Sequence, residues 1–120
     1  MNTSYFRFTL DLDIQDSQVY VTVRQGDTAK GIAVLLSESG TPYSIADGVT
    51  AVLAARKSDG SYIYVSCTIE NNCISVVLPA SFTAATGKLT ACIRLTESSA
   101  ALTSPPFTIF VDAPAAPAQS

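Results

Sequence analysis

Apolar and polar residues alternate one by one along Val19–Arg24, and this alternation constrains the fold more than any other feature of the sequence. The three valines of this stretch fall on one side, whereas Tyr20, Thr22 and Arg24 fall on the other. Strict alternation of this kind predicts a β-strand with one buried and one solvent-facing side. The stretch ends at a polar turn, Gln25-Gly26-Asp27, in which Gly26 is able to adopt a positive φ.

Similar stretches, separated by turn residues, recur along the chain and predict further strands. The third strand is broken by Leu35, which is a candidate for a position buried on both sides. The fourth has a competing interpretation as an amphipathic helix, because Ala, Leu and Arg favour helices. The strands predicted outside the hairpin described next are Tyr5–Ile14, Val19–Arg24, Gly31–Ser37, Val49–Ala55, Lys88–Thr96 and Phe107–Asp112.

A hairpin is predicted around Asn71-Asn72, a pair that tolerates the left-handed backbone of a two-residue turn. Closing the turn there pairs Ile69 with Ile74, Cys67 with Val76 and Val65 with Leu78. Every one of these pairs is apolar, and directly paired residues share one face of a sheet. A slip by one residue would destroy this match, so the sequence specifies the register.

About eight short strands with regularly spaced turns predict an all-β domain, a sandwich of two sheets, over residues 1–112. Between Pro79 and Gly87, the segment Ala80–Thr86 is predicted to form one helical turn that carries Phe82 beneath the sandwich. Residues 113–120 are rich in proline and alanine and are expected to form a linker to a further part of a longer polypeptide.

The composition argues against several classes of function. The chain has 120 residues, a net charge of −3, 14% charged residues and no histidine. A nucleic-acid partner is not expected without a basic cluster, and the commonest general base and metal ligand is missing. We find no signal peptide and no apolar run near the ~20 residues of a membrane span, so synthesis in the cytoplasm as a soluble protein is expected.

Two sets of side chains are candidates for catalysis or metal binding. The cysteines Cys67, Cys73 and Cys92 have no plausible disulfide partner and no histidine to activate them, so inert thiols are expected. Asp11 and Asp13 are predicted on one strand face about 6.5–7 Å apart, a separation that a glycosidase could use, but no second motif supports catalysis. Ca²⁺ binding by these two residues with Asp16 lacks the loop pattern for that ion. We therefore expect no catalytic, cofactor-binding or metal-binding residues.

The tyrosines are the more informative polar-face residues. Tyr5, Tyr20, Tyr62 and Tyr64 are all predicted to point outward. Tyrosine with arginine is typical of protein contact surfaces, so these side chains are candidates for a docking face or a sugar-binding platform. The simpler interpretation is that they pair across neighbouring strands.

An ordered set of short motifs resembles the N-terminal domain of the phage baseplate upper protein family. The coverage of the resemblance runs from about Val19 to Val111, and its pieces are Val23-Arg24-Gln25-Gly26-Asp27, Gly40-Thr41-Pro42, Lys57-Ser58-Asp59-Gly60, Gly87–Leu95, and Thr103 with Phe107–Val111. The resemblance implies an immunoglobulin-like β-sandwich at the start of a tail or baseplate protein, and it implies no catalytic residues.

The function expected from this resemblance is structural. The chain would anchor a distal host-recognition assembly to a phage or prophage tail, would contact other tail proteins, and would reside in the virion as a homo-oligomer. The long first strand is a candidate for pairing with a neighbouring subunit. The alternative from the residues is a carbohydrate-binding module of a larger protein, which would use the outward tyrosines.

Overall fold

The computed structural model describes residues 3–15 and 17–113. Strands dominate, and one short helix, α1 (Ala80–Thr83), lies between the seventh and eighth strands. Within the described residues, no helix is long and apolar enough to cross a membrane. The strands are β1 (Ser4–Asp11), β2 (Tyr20–Arg24), β3 (Lys30–Glu38), β4 (Thr41–Pro42), β5 (Thr50–Arg56), β6 (Tyr62–Glu70), β7 (Cys73–Val77), β8 (Gly87–Glu97), β9 (Ala100–Thr103) and β10 (Phe107–Asp112).

All ten strands of the described residues belong to one sheet, whose main path runs β1-β3-β7-β6-β5-β8-β10-β2, with β4 beside β3 and β9 beside β8. β1 is parallel to β3 and β2 is parallel to β10, whereas the other pairs are antiparallel. The predicted all-β class is confirmed. Pairing of β6 with both β5 and β7 joins the strands into this one sheet, which is nearly closed into a barrel, and an immunoglobulin-like sandwich is not confirmed.

The interior of the barrel is apolar, and alternation along the strands produces it. In β5, which forms as a strand and not as the competing helix, Ala51, Leu53 and Ala55 are buried and the residues between them are not. Phe82 of α1 is buried as predicted. The other buried hydrophobic residues of this core are Leu10, Val21, Val23, Ile32, Val34, Leu36, Ile74, Val76, Leu78, Leu89, Ala91, Ile93, Leu95, Phe107, Ile109 and Val111.

Two inward predictions are wrong, and two short strands were not predicted. β1 ends at Asp11, so Ile14 lies beyond the strand and is 54% exposed. Leu35, a candidate for burial on both sides, points out of the barrel and is 47% exposed. The unpredicted strands β4 and β9 contain two and four residues, which is too short for an alternating pattern to show.

The predicted hairpin is confirmed near its turn and wrong farther away. Asn71 and Asn72 have φ values of 52° and 63°, and Ile69 pairs with Ile74 as predicted. Beyond Thr68 the arms separate, because β6 continues along β5 and β7 continues along β3. Cys67 therefore pairs with Ala51 and Val65 pairs with Leu53, in place of Val76 and Leu78.

The predicted domain boundary is not tested by the structure. The strand β10 ends at Asp112, and Ala113 follows it without regular structure. The rest of the predicted linker, residues 114–120, lies outside the described residues, as does Asp16.

Candidate functional site

The tyrosines predicted to point outward do so. Tyr5 is 41% exposed, Tyr20 62%, Tyr62 60% and Tyr64 66%. They nevertheless belong to three strands that do not pair with one another, β1 and β2 at the ends of the strand path and β6 in its middle. Among these four side chains, only the rings of Tyr62 and Tyr64 contact each other, so the candidate docking face is narrowed to this pair.

Tyr62 and Tyr64 form the most exposed aromatic pair of the described surface. Their side chains leave the same face of β6, two residues apart, and the ring centroids are 6.2 Å apart with an angle of 15° between the planes. Arg56 of the neighbouring strand β5 lies directly opposite Tyr62 and is also exposed. Two near-parallel tyrosines beside an arginine have the composition of a protein contact surface.

The other two tyrosines pack against their own surroundings. Tyr20 stacks on Phe110 of β10 at 5.8 Å between centroids. The ring of Tyr5 lies over Gly31 of β3, so close that a Cβ atom at Gly31 would be 2.6 Å from Cε2 of Tyr5. Both arrangements match the simpler interpretation that outward tyrosines cover neighbouring strands.

The carboxylate of Asp11 holds a turn together. It accepts hydrogen bonds from the amides of Asp13 (2.9 Å), Gly40 (2.8 Å) and Ser39 (3.2 Å), and from the hydroxyl of Ser37 (3.1 Å). These donors, the amide of Asp13 foremost, lower the pKa of Asp11 below its ordinary value. A carboxylate that is held ionised by four donors is poorly suited to general acid catalysis.

The predicted pairing of Asp11 with Asp13 on one strand face is wrong. The strand ends at Asp11, and Asp13 lies in the following turn, where its carboxylate accepts a hydrogen bond from the hydroxyl of Ser39. In the described part of the chain, no group of three His, Cys, Asp or Glu residues is placed to hold a metal ion. Asp16, the third candidate ligand for Ca²⁺, lies outside the described residues.

All three cysteines are free thiols, and each is half-buried. Cys67 packs against the core from β6, and burial raises its pKa to about 11. Burial also raises the pKa of Cys92, although the charge of Arg94 opposes this shift. Raised pKa values keep these two thiols protonated near neutral pH, and a protonated thiol is a poor nucleophile.

Shallow clefts lie at both ends of the barrel. One, of about 220 Å³, is lined by Lys57, Asp59, Ser81 and Phe82 among others. Another, of about 310 Å³, lies between the loop Ile45–Val49 and the hairpin turn at Asn71-Asn72. In the first cleft, the hydroxyl and the amide of Ser61 donate hydrogen bonds to the carboxylate of Asp59 within the turn, and these bonds lower the pKa of Asp59.

The fold thus defines an all-β domain with a nearly closed barrel, and its most distinctive exposed feature is an aromatic strand face. This architecture is similar to a solved structure, the N-terminal domain of phage TP901-1 ORF48. The TM-score is 0.75 at 15% sequence identity, and the match covers 90% of this chain and 98% of that one. No family model matches the sequence, and no curated protein matches it either. At this identity the likeness shows a shared fold.

Proposed function

We propose that this chain is a structural module of a phage or prophage tail, that it attaches a receptor-binding assembly to the baseplate, and that it catalyses no reaction. The observation that carries the proposal is the likeness to a domain of a phage protein over nearly the whole of both chains. The ordered motifs from Val19 to Val111 support it independently, because they resemble the phage baseplate upper protein family.

The surface of the domain suits a role in attachment. The tyrosine pair and Arg56 offer a contact surface for a partner protein. The partners proposed are other tail or baseplate proteins, and the place proposed is the virion. Two observations support the proposed absence of catalytic activity. The carboxylate of Asp11 accepts the hydrogen bonds of a turn, and the thiols of Cys67 and Cys92 have raised pKa values that keep them protonated.

The direct test is to locate the protein in assembled particles. A tagged copy is expressed in the source phage or lysogen, and particles are purified and analysed by mass spectrometry and immunogold labelling. We expect the tag at the distal end of the tail. Deletion of the gene is expected to give particles that lack the distal assembly and do not adsorb to host cells. Particles that contain no tagged protein would contradict the proposal.

A second candidate, a carbohydrate-binding module, is favoured by the exposed Tyr62 and Tyr64 rings alone. Aromatic rings exposed side by side are able to contact the apolar face of a sugar. Saturable binding to a glycan array, lost in Tyr62→Ala and Tyr64→Ala and kept in Tyr20→Ala, would support this function. Absence of such binding would contradict the carbohydrate-binding function, and a contact with a protein partner would then remain as the role of the tyrosine pair.

A further inference from the structure

The first two-thirds of β6 present an open backbone edge. Tyr62–Cys67 pairs with β5 on one side, whereas β7 reaches only Thr68–Glu70 on the other. The reason is that β7 leaves β6 and continues along β3 as far as Val77. Among the described residues, no strand pairs with the second side of Tyr62–Cys67. Such an edge is a template for a further strand.

This edge lacks the features that usually protect an edge strand. Tyr62–Cys67 contains neither a charged residue nor a proline, and its side chains alternate between exposed Tyr or Ser and half-buried apolar groups. The edges at the two ends of the strand path differ, because β1 carries Arg7 and Asp11, and β2 is short and ends in Arg24. Charges and short length discourage pairing, so β6 offers the most permissive of these three edges.

The distribution of charge indicates what would occupy the edge. Four strands, β1, β3, β6 and β8, run in the same direction, so their last residues lie at one end of the barrel. All four of these last residues are acidic: Asp11, Glu38, Glu70 and Glu97. At the opposite end, cations outnumber acids. The cations there are Arg24, Lys30, Arg56, Lys57 and Lys88, and the acids are Asp27, Asp59 and Asp112. The domain is therefore electrically polar along the strand direction.

We propose that two copies of this chain associate through their β6 edges in an antiparallel arrangement about a two-fold axis. Antiparallel pairing places the acidic end of one copy beside the basic end of the other, whereas parallel pairing would place like ends together. The edge is uncharged, so no like charges meet at the seam itself. A self-complementary contact of this kind closes as a dimer.

The proposed register is centred on Tyr64. A two-fold axis perpendicular to the sheet keeps outward residues opposite outward residues, as in any antiparallel pair. Tyr64 then faces its own counterpart, and Tyr62 faces Ser66 of the second copy. The pairing extends the sheet across the contact and places the two Tyr64 rings beside each other at the axis.

The test is the oligomeric state of the full chain, measured by sedimentation velocity over a range of concentrations. The variants Tyr64→Lys and Tyr64→Glu place like charges opposite each other, and the matched control is Tyr20→Lys, at an equally exposed tyrosine on β2. We expect a dimer for the wild type and the control. Each Tyr64 variant is expected to dimerise at least about tenfold more weakly, since juxtaposed like charges are costly at an interface.

A mixture of the two Tyr64 variants distinguishes pairing at Tyr64 from a general loss of structure. Opposite charges then meet at the axis, and we expect a heterodimer to form, with unchanged circular dichroism for each variant. A monomeric wild type, undiminished dimers of both Tyr64 variants, equal disruption by Tyr20→Lys, or a mixture that stays monomeric would each overturn the inference. The experiment needs no tail protein, so its failure would leave the proposed attachment function standing.

Discussion

The inner and outer faces of the barrel wall are built from the same strands but differ in how their side chains are constrained. In β2, Val21 and Val23 are buried in the core, whereas Tyr20, Thr22 and Arg24 are exposed. An inward residue must fit a closed apolar interior, but an outward residue meets only its strand neighbours. Substitutions inside should therefore be costly everywhere, whereas substitutions outside should matter only where a specific contact exists.

The largest effect is expected for Val21→Asp, which places an unpaired carboxylate in the core. Val21 is only 1% exposed, and the described core around it offers no cation. Burying a charge without a partner is among the few changes that cost more than about 4 kcal/mol. We expect loss of the β-sheet circular dichroism spectrum and of cooperative melting. The control is Thr22→Asp, the next residue and exposed; native-like melting of Val21→Asp would refute the assignment of faces.

A smaller but still large effect is expected for Leu53→Ala in β5. Leu53 is fully buried, and its removal leaves a cavity that the surrounding strands fill only in part. Such changes cost about 2–5 kcal/mol. Urea denaturation should show this loss, whereas Arg56→Ala on the exposed side of the same strand should stay within about 0.5 kcal/mol of the wild type. Equal losses for the two variants would show that the two faces of β5 are equally constrained.

The inner face was largely predictable from the sequence, and the hairpin β6–β7 shows where prediction stops. The alternation that places Leu53 or Ile109 inside is local, because successive side chains of a strand point to opposite faces. The turn at Asn71-Asn72 is local too. The separation of the arms beyond Thr68 depends on β5 and β3, which compete for β6 and β7 from elsewhere in the chain. The sequence of the hairpin alone does not show which strand each arm pairs with beyond Thr68.

The outer face was predictable only residue by residue. The exposure of Tyr5, Tyr20, Tyr62 and Tyr64 followed from alternation, but their distribution over β1, β2 and β6 follows from the strand order, which the sequence pattern does not contain. The same holds for the bonds from Ser39 and Gly40 to Asp11, because these residues are distant in sequence and meet only when β1 pairs with β3. Candidate sites made of distant residues therefore required the structure.

The third prediction concerns an outward position that is constrained. A Cβ atom at Gly31 would lie 2.6 Å from Cε2 of Tyr5 and 2.7 Å from the carbonyl oxygen of Val76. Gly31→Ala should therefore destabilise the domain by about 1–3 kcal/mol, as other overpacking changes do. Adding Tyr5→Ala should restore part of the loss, since the ring is removed and the backbone oxygen stays. Full restoration, or no loss in the single variant, would contradict this account of the close approach.

The smallest effect is expected for Asp11→Asn, and it should depend on pH. In the folded chain the pKa of Asp11 is held below 3.8, its ordinary value, by the amides of Asp13, Gly40 and Ser39 and the hydroxyl of Ser37. The stability that this carboxylate contributes is thus fully present above the unfolded pKa and is lost as the pH falls through the lowered folded pKa. Melting temperatures measured from pH 7 downward should fall less steeply in acid for Asp11→Asn than for the wild type. The difference between the two proteins should be greatest above about pH 4 and should shrink below it. Parallel curves across the whole range would show that the turn gains nothing from the charge of Asp11, and that this outward carboxylate is as weakly constrained as the solvent-facing residues of β2.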